Sequence, residues 1–137
     1  MPTNSSLVRD IFDQAIHQGK LAIVDELVSV DATIHIPGWG IPANRLGFKQ
    51  MVANLRAAFP NLRCTVDGEI VVERKLAAIW TLRGTHKGLF LGNMPTRRSV
   101  EVQGFIFAHT KHGQITESWL LIDQMSMLQQ IGVIPPP

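Results

Sequence analysis

Residues 98–123 read RSVEVQGFIFAHTKHGQITESWLLID, and apolar side chains alternate with polar ones through much of this stretch. A period of two is typical of a β-strand, because successive side chains point to opposite faces of a sheet. The tripeptide at 111–113, Lys-His-Gly, interrupts the pattern with a turn signal. The stretch therefore predicts an antiparallel hairpin with strands at 98–110 and 114–123.

The same period of two is found upstream of this hairpin. Residues 62–66, 69–74 and 77–86 are strand-like, and the Asp-Gly pair at 67–68 is a second hairpin signal. A longer loop over 88–96 separates the third of these strands from the hairpin. We therefore expect a mainly antiparallel sheet.

The part of the chain before the strands has helical periodicity. Apolar residues recur every three or four positions from Leu7 until Gly19, again over 20–30, and from about Asn44 to Phe59. Prolines and glycines within 31–42 predict a loop between the second and third helices. A last amphipathic turn, with Met125, Leu128 and Ile131, closes the chain. Three helices followed by strands predict an α+β domain with the helices packed on one sheet.

Composition limits the classes of protein to consider. The chain has 137 residues, of which 45% are hydrophobic and 18% charged, so we expect one domain over 1–137 with a single core. The formal net charge of +2 does not favour nucleic-acid binding. The single cysteine, Cys64, excludes an internal disulfide and favours a cytoplasmic location. No apolar run approaches the ~18 residues of a membrane span.

Several kinds of catalytic chemistry lack their residues. There is no tyrosine to serve as an oxyanion donor, and the five histidines form no close ligand pair, so we expect no metal. The sequence also has no G-x-S-x-G elbow, P-loop or G-x-G-x-x-G motif. These absences disfavour serine hydrolases, nucleotide hydrolases and dinucleotide enzymes.

Alternation assigns the side chains of the last predicted strand to two faces, both largely apolar. One face carries Ile115, Glu117, Trp119, Leu121 and Asp123, and the other carries Thr116, Ser118, Leu120 and Ile122. A strand that is apolar on both faces must be covered on both. We therefore expect one face to meet the helices around a pocket and the other to meet a second subunit in a homodimer.

The chain also resembles a known family. The resemblance lies in GTHKGLFLGNMPTRR at 84–98, GQITESW at 113–119 and the run at 123–132, with further similarity at 31–35 and 57–62. Together these motifs are similar to those of the SnoaL-like polyketide cyclases of the NTF2-like superfamily. The resemblance implies a cone-shaped α+β barrel. It also implies a dimer that closes a polyketide ring by intramolecular aldol condensation without metal or organic cofactor.

The resemblance also indicates a site. Matching the motifs places the relatives' acid/base aspartate at Leu120, and a leucine cannot transfer a proton. Their polar pocket positions fall on Met51, Gly104 and Ile106, which predicts an apolar cavity. We expect a small hydrophobic ligand to be bound by residues of this cavity, namely Ile16, Trp39, Met51, Phe59, Trp80, Phe90, Met94, Gly104, Ile106, Ser118 and Leu120.

Two side chains remain as candidate proton-transfer groups. Asp123 is the carboxylate nearest to Leu120, although a carboxylate there can equally cap the closing turn. His35 enters the Pro/Gly loop beside Trp39, and a half-buried structural histidine is the alternative. His86 is expected to bond loop backbone groups. We favour a binding protein for a hydrophobic or polyketide-like molecule over a cofactor-independent cyclase or isomerase that uses His35 or Asp123.

Overall fold

The computed structural model of the chain describes residues 4–136. Five strands form one curved sheet in the order β1-β5-β4-β3-β2, in which β1 runs parallel to β5 and the other neighbours are antiparallel. The strands are β1 Val28–His35, β2 Arg63–Val72, β3 Lys75–Thr85, β4 Ser99–Lys111 and β5 Gln114–Ile122.

Four helices accompany the sheet within the described part of the chain. The first, α1, begins at Asn4 and continues beyond Asp10 as a π-helical segment over Ile11–His17. The others are α2 Ala22–Leu27, α3 Arg45–Ala58 and α4 Gln124–Gln130. In this described region, no helix combines the length and the apolar character that crossing a bilayer requires. The α+β class and the helix-on-sheet arrangement are confirmed.

The helices pack their apolar stripes on one face of the sheet, which we call the inner face. The predicted stripe of the first helix is buried throughout, from Leu7 to Ile16, and so is that of α3, from Phe48 to Leu55. Asn44 caps α3, because its side-chain oxygen accepts a hydrogen bond from the Gly47 N–H at 2.8 Å. Buried apolar residues of both layers form one hydrophobic core.

The prediction of a helix and then a loop over 20–42 missed strand β1. Residues 28–35 alternate like a strand, with Val28, Ala32 and Ile34 buried and Asp31 exposed. Their partner is β5, which lies more than 80 residues away in the chain. A parallel pairing between such distant segments leaves no turn signal in the sequence.

The prediction of a hairpin at Asp67 and Gly68 is also wrong. Residues 63–72 are one strand, and the register shift between Val66 and Gly68 makes Asp67 a bulge. Its carboxylate accepts a hydrogen bond from the Thr81 hydroxyl of the neighbouring strand. The hairpin at 111–113 is confirmed, since His112 and Gly113 both have positive φ, at 52° and 75°.

A second bulge changes the faces predicted for β5. His109 pairs with Glu117 and Thr110 pairs with Ile115, so Thr116 is the extra residue. Beyond the bulge, the predicted alternation holds. For the residues before the bulge, inward and outward positions are exchanged relative to the prediction. Ile115 is therefore buried on the inner face instead of sharing the outer face with Glu117.

Candidate functional site

Leu120 lies on the inner face beside apolar residues of β4 and β3. Its side chain is 1% exposed, and in register it neighbours Ile106, which neighbours Ala78 in turn. The polar side chain next along β5 on this face is Ser118, which is also buried. The position that matches the relatives' aspartate is therefore part of the hydrophobic core.

Trp80 fills the middle of the inner face. It is fully buried, and its ring lies 5.2 Å from that of Phe12. The ring also lies directly over Gly104, because a Cβ atom built on that glycine would be only 2.1 Å from Trp80 Cη2. The absence of a side chain at Gly104 thus allows the indole to pack against the backbone of β4.

The interior contains few groups able to take part in proton transfer. Among the residues whose burial is described, the buried polar side chains are Thr81, His86, Thr110 and Ser118, with no carboxylate. Cys64 is buried as well, and burial raises the pKa of its thiol to about 12, with smaller contributions from the charges of Asp67 and Asp13. That thiol is therefore protonated at neutral pH.

His86 is the buried imidazole of the described residues. It follows β3 directly, on the row of inner-face side chains that includes Trp80 and Leu82. Its Nδ1 accepts a hydrogen bond from the Thr96 N–H at 3.1 Å, so the expected bonding to loop backbone is confirmed. Its Nε2 has no partner among the side chains and backbone of the described residues.

Two loops and α3 border a surface cavity of about 400 Å³, which we call the mouth cavity. Trp39 and Phe90 are packed edge to face there, with ring centroids 5.8 Å apart. The indole Nε1 of Trp39 is buried without a partner in the described structure, as is that of Trp80. The cavity is lined by Trp39, Asn54, Ala57, Leu89, Phe90 and Leu91.

The structure brings only some of the predicted ligand-binding residues to this cavity. Trp39 and Phe90 line it, whereas Met94 is 75% exposed on the loop and does not join them. The remaining apolar members are buried in the core, namely Ile16, Met51, Phe59, Trp80, Ile106 and Leu120.

Neither candidate proton-transfer group faces Leu120. Asp123 caps α4, since its Oδ1 accepts a hydrogen bond from the Ser126 N–H at 3.1 Å. His35 lies on the opposite, outer face of the sheet, where its Nε2 is 3.0 Å from Glu117 Oε2 and its ring stacks on Trp119. The structure therefore separates both groups from the position of the relatives' acid.

The outer face of the sheet exposes a continuous apolar surface. Phe105 and Leu121 are paired across β4 and β5, and both are more than half exposed. Phe107 and Trp119 form the next cross-strand pair, with ring centroids 5.7 Å apart. A shallow depression of about 600 Å³ runs from these residues towards Ile70.

Comparison with known proteins connects this geometry to a family. The sequence model of the SnoaL-like polyketide cyclases matches residues 6–131, almost the whole chain. The chain belongs to this family. The resemblance expected from the motifs is therefore confirmed. A comparison with curated proteins finds no match.

Solved structures similar to this SnoaL-like chain support the same fold. IdmH, a proposed polyketide cyclase from Streptomyces antibioticus, is 30% identical, with 93% of this chain and 97% of that one covered and a TM-score of 0.83. A proposed polyketide cyclase from Bacillus cereus is 26% identical, with coverages of 94% and 80% and a TM-score of 0.82. AclR of Streptomyces galilaeus, a proposed hydroxylase, is 21% identical, with coverages of 97% and 83% and a TM-score of 0.84, which shows the fold alone.

Sequence reasoning missed the free nitrogen of His86. Alternation along β3 places this residue on the inner row, six positions beyond Trp80, and that was the available signal. The bond from Thr96, which determines which nitrogen is free, comes from a loop ten residues away. It could not be read from a periodic pattern.

Proposed function

We propose that this SnoaL-like chain binds a small, hydrophobic, carbonyl-bearing molecule, and that it lacks the acid/base step of the family's cyclases. The main support is that Leu120, a buried leucine paired with Ile106, occupies the position where the relatives' aspartate would lie. A positioned acid or base contributes about 10²- to 10⁴-fold to a reaction rate. A leucine contributes none of this.

The positions of the other candidates support binding without that step. Asp123 is engaged in a helix cap, and His35 is paired with Glu117 on the outer face. Neither side chain lines the mouth cavity. The alternative, a cyclase or isomerase that uses His35 or Asp123, would require one of these side chains to leave its present partner.

The chemistry of the mouth cavity supports a carbonyl-bearing ligand. Its walls are mainly apolar and aromatic, which suits a flat hydrophobic molecule. The indole nitrogen of Trp39, which lines the cavity, is buried without a partner in the described structure, and an indole nitrogen can only donate. A ligand that supplies acceptor oxygens and few donors, such as an aromatic ketone of polyketide type, complements it.

A bicyclic aryl ketone, 1-tetralone, tests both halves of this proposal. Binding is measured by quenching of tryptophan fluorescence, and proton transfer by deuterium incorporation at the carbon next to the carbonyl in D2O. We expect saturable binding and an exchange rate equal to that in buffer alone. Protein-dependent acceleration of the exchange would contradict the binding-only proposal and favour an enzyme. A lack of saturable binding would contradict the proposed ligand class.

We also propose that the outer face of the sheet is covered by a second copy of the chain. A two-fold axis places the same apolar surface on both partners, so that the exposed Phe105 and Leu121 of each copy are buried by the other. Two sheets that pack face to face form a common type of core. The exposed apolar side chains on this face are too numerous and too contiguous for isolated surface residues.

A further inference from the structure

Four buried rings at the mouth of the cone form one connected group, which we call the mouth cluster: Trp39, Phe59, His86 and Phe90. Phe90 lies at its centre, with ring centroids 5.8 Å from Trp39, 5.3 Å from Phe59 and 6.3 Å from His86. All four side chains are at least nine-tenths buried, and His86 is 0% exposed. The cluster therefore connects the wall of the mouth cavity to the imidazole.

The hydrogen bonds of His86 determine its tautomer. A backbone N–H can only donate, so the bond from the Thr96 N–H requires a lone pair on Nδ1. The Thr96 hydroxyl lies 3.1 Å from the same nitrogen. In the neutral ring the proton is then on Nε2, which makes that atom a hydrogen-bond donor.

This donor is buried without an acceptor. Nε2 of His86 has no accessible surface and no partner among the described residues, and the same holds for Nε1 of Trp39. A buried donor without a partner costs about 1–3 kcal/mol, and native proteins contain few of them. An acceptor from outside the chain would satisfy either of the two donors in this cluster.

The backbone around His86 is held firmly by its neighbours. Its N–H donates to the carbonyl of Arg98 at 2.9 Å, and the N–H groups of Lys87 and Gly88 both donate to the carbonyl of Ala58 at the end of α3. The imidazole is thus fixed in place before any ligand binds. A donor that needs no reorganisation loses little entropy on binding.

We propose that the Nε2–H of His86 is the polar anchor of the binding site, donating a hydrogen bond to the carbonyl oxygen of an aromatic ketone. The rings of the ketone occupy the mouth cavity against Trp39, and rotation of the Phe90 side chain opens the cavity to the imidazole. This inference rests on the proposed function and adds the ligand atom that is recognised and the group that recognises it. It makes His86 a ligand-binding residue.

Two probes with the same ring skeleton test the anchor: 1-tetralone, and tetralin, which lacks the carbonyl. His86→Asn keeps an oxygen that accepts from the Thr96 N–H but removes the Nε2 donor. We expect this variant to weaken 1-tetralone binding about fivefold and to leave tetralin binding unchanged. The control His109→Asn, on the outer face, is expected to bind both probes like the wild type.

The outcomes separate this inference from the proposed function. If His86→Asn weakens both probes equally, or neither, the anchor is wrong while binding of the ligand class still stands. If the wild type binds neither probe, the proposed function is wrong, and the anchor with it.

A second measurement uses the wild-type chain and does not depend on the folding of a variant. In ¹⁵N-labelled protein, we expect the His86 ring to show a protonated Nε2 and an unprotonated Nδ1. Addition of 1-tetralone is expected to shift the Nε2 resonance, and addition of tetralin to leave it in place. A proton on Nδ1, or equal shifts with both probes, would contradict the anchor.

Discussion

Leu120 and His86 lie far apart on the inner face of the sheet. Leu120 is in register with Ala78 through Ile106. His86 comes eight positions after Ala78, one residue beyond the end of β3. At about 3.3 Å per residue, this spacing corresponds to about 26 Å along the strand. A carbonyl bound at His86 is therefore remote from the position of the relatives' aspartate, and the buried side chains of Trp80 and Leu82 lie between the two positions along β3.

The buried thiol of Cys64 makes the stability of the fold depend on pH. Burial raises the pKa of its thiol from 9.0 to about 12, so between these pH values the thiol ionises in the unfolded chain but not in the folded one. Stability that is complete below about pH 9 is then lost as the pH rises towards 12. Between about pH 8 and about pH 10.5 we expect the wild type to lose about 2 kcal/mol more than Cys64→Ala, as measured by urea unfolding. Equal losses in the two proteins would show that the thiol does not contribute.

The apolar nature of Leu120 could be predicted from the sequence, and the free nitrogen of His86 could not. The apolar nature of Leu120 follows from its position in the motif and from alternation along one strand. The free nitrogen of His86 depends on Thr96 and on two rings from other elements, Phe59 and Phe90. Long-range packing of this kind leaves no local signal.

At the scale of elements, the contact between β4 and Trp80 depends on Gly104. A Cβ atom there would lie 2.1 Å from Trp80 Cη2 and 2.7 Å from the backbone oxygen of Leu121, so alanine cannot fit without displacing the indole. We expect Gly104→Ala to lower the free energy of unfolding by about 3 kcal/mol.

A matched control for this change is Gly68→Ala on β2. A Cβ atom at Gly68 meets nothing closer than Ile79 Cγ2 at 3.6 Å, which is an ordinary contact. We expect this variant to change stability by less than about 1 kcal/mol. Equal effects of the two substitutions in urea unfolding would contradict the close packing of Trp80 on Gly104.

The side chain of Asp123 caps the start of α4 and thereby stabilises this helix. Asp123→Ala removes the acceptor for the Ser126 N–H, and we expect it to lower the free energy of unfolding by about 1 kcal/mol. Asp123→Asn keeps an acceptor, and we expect it to lower the free energy of unfolding by only a few tenths of about 1 kcal/mol. Thermal unfolding of both variants measures the difference. If asparagine were as destabilising as alanine, the charge of Asp123 and not its cap would be the important property.

The elements that could be predicted are those with local signals. The helical stripe from Leu7 to Ile16 and the turn at His112 and Gly113 each depend on neighbours in the chain. Strand β1 depends on a parallel partner far along the chain. The bulge at Asp67 is accompanied by a hydrogen bond from the Thr81 hydroxyl on the next strand. Because these partners are distant in the sequence, neither β1 nor the bulge can be predicted from local patterns.

At the scale of the whole molecule, the proposed homodimer predicts the mass in solution. We expect sedimentation to give a species of twice the 15.2 kDa of the chain. Phe105→Lys places a charge in the centre of the outer face and is expected to give monomers. Leu46→Lys, at an equally exposed position on α3, is the control and is expected to remain dimeric. A wild type that sediments only as a 15.2 kDa species would exclude the dimer.

The two apolar regions of the molecule compete as sites for a hydrophobic ligand, and each contains a tryptophan. Trp39 lines the mouth cavity, and Trp119 lies on the outer face. Their indole N–H groups give separate signals in a ¹H–¹⁵N correlation spectrum, and each signal is assigned by its loss in a Trp→Phe variant.

Titration of the ¹⁵N-labelled chain with 1-tetralone, followed at these indole signals, tests most directly whether the mouth of the cone is the ligand site. We expect a saturable shift of the Trp39 signal and no shift of the Trp119 signal. A shift of the Trp119 signal, or no shift of either signal, would contradict a ligand site at the mouth cavity.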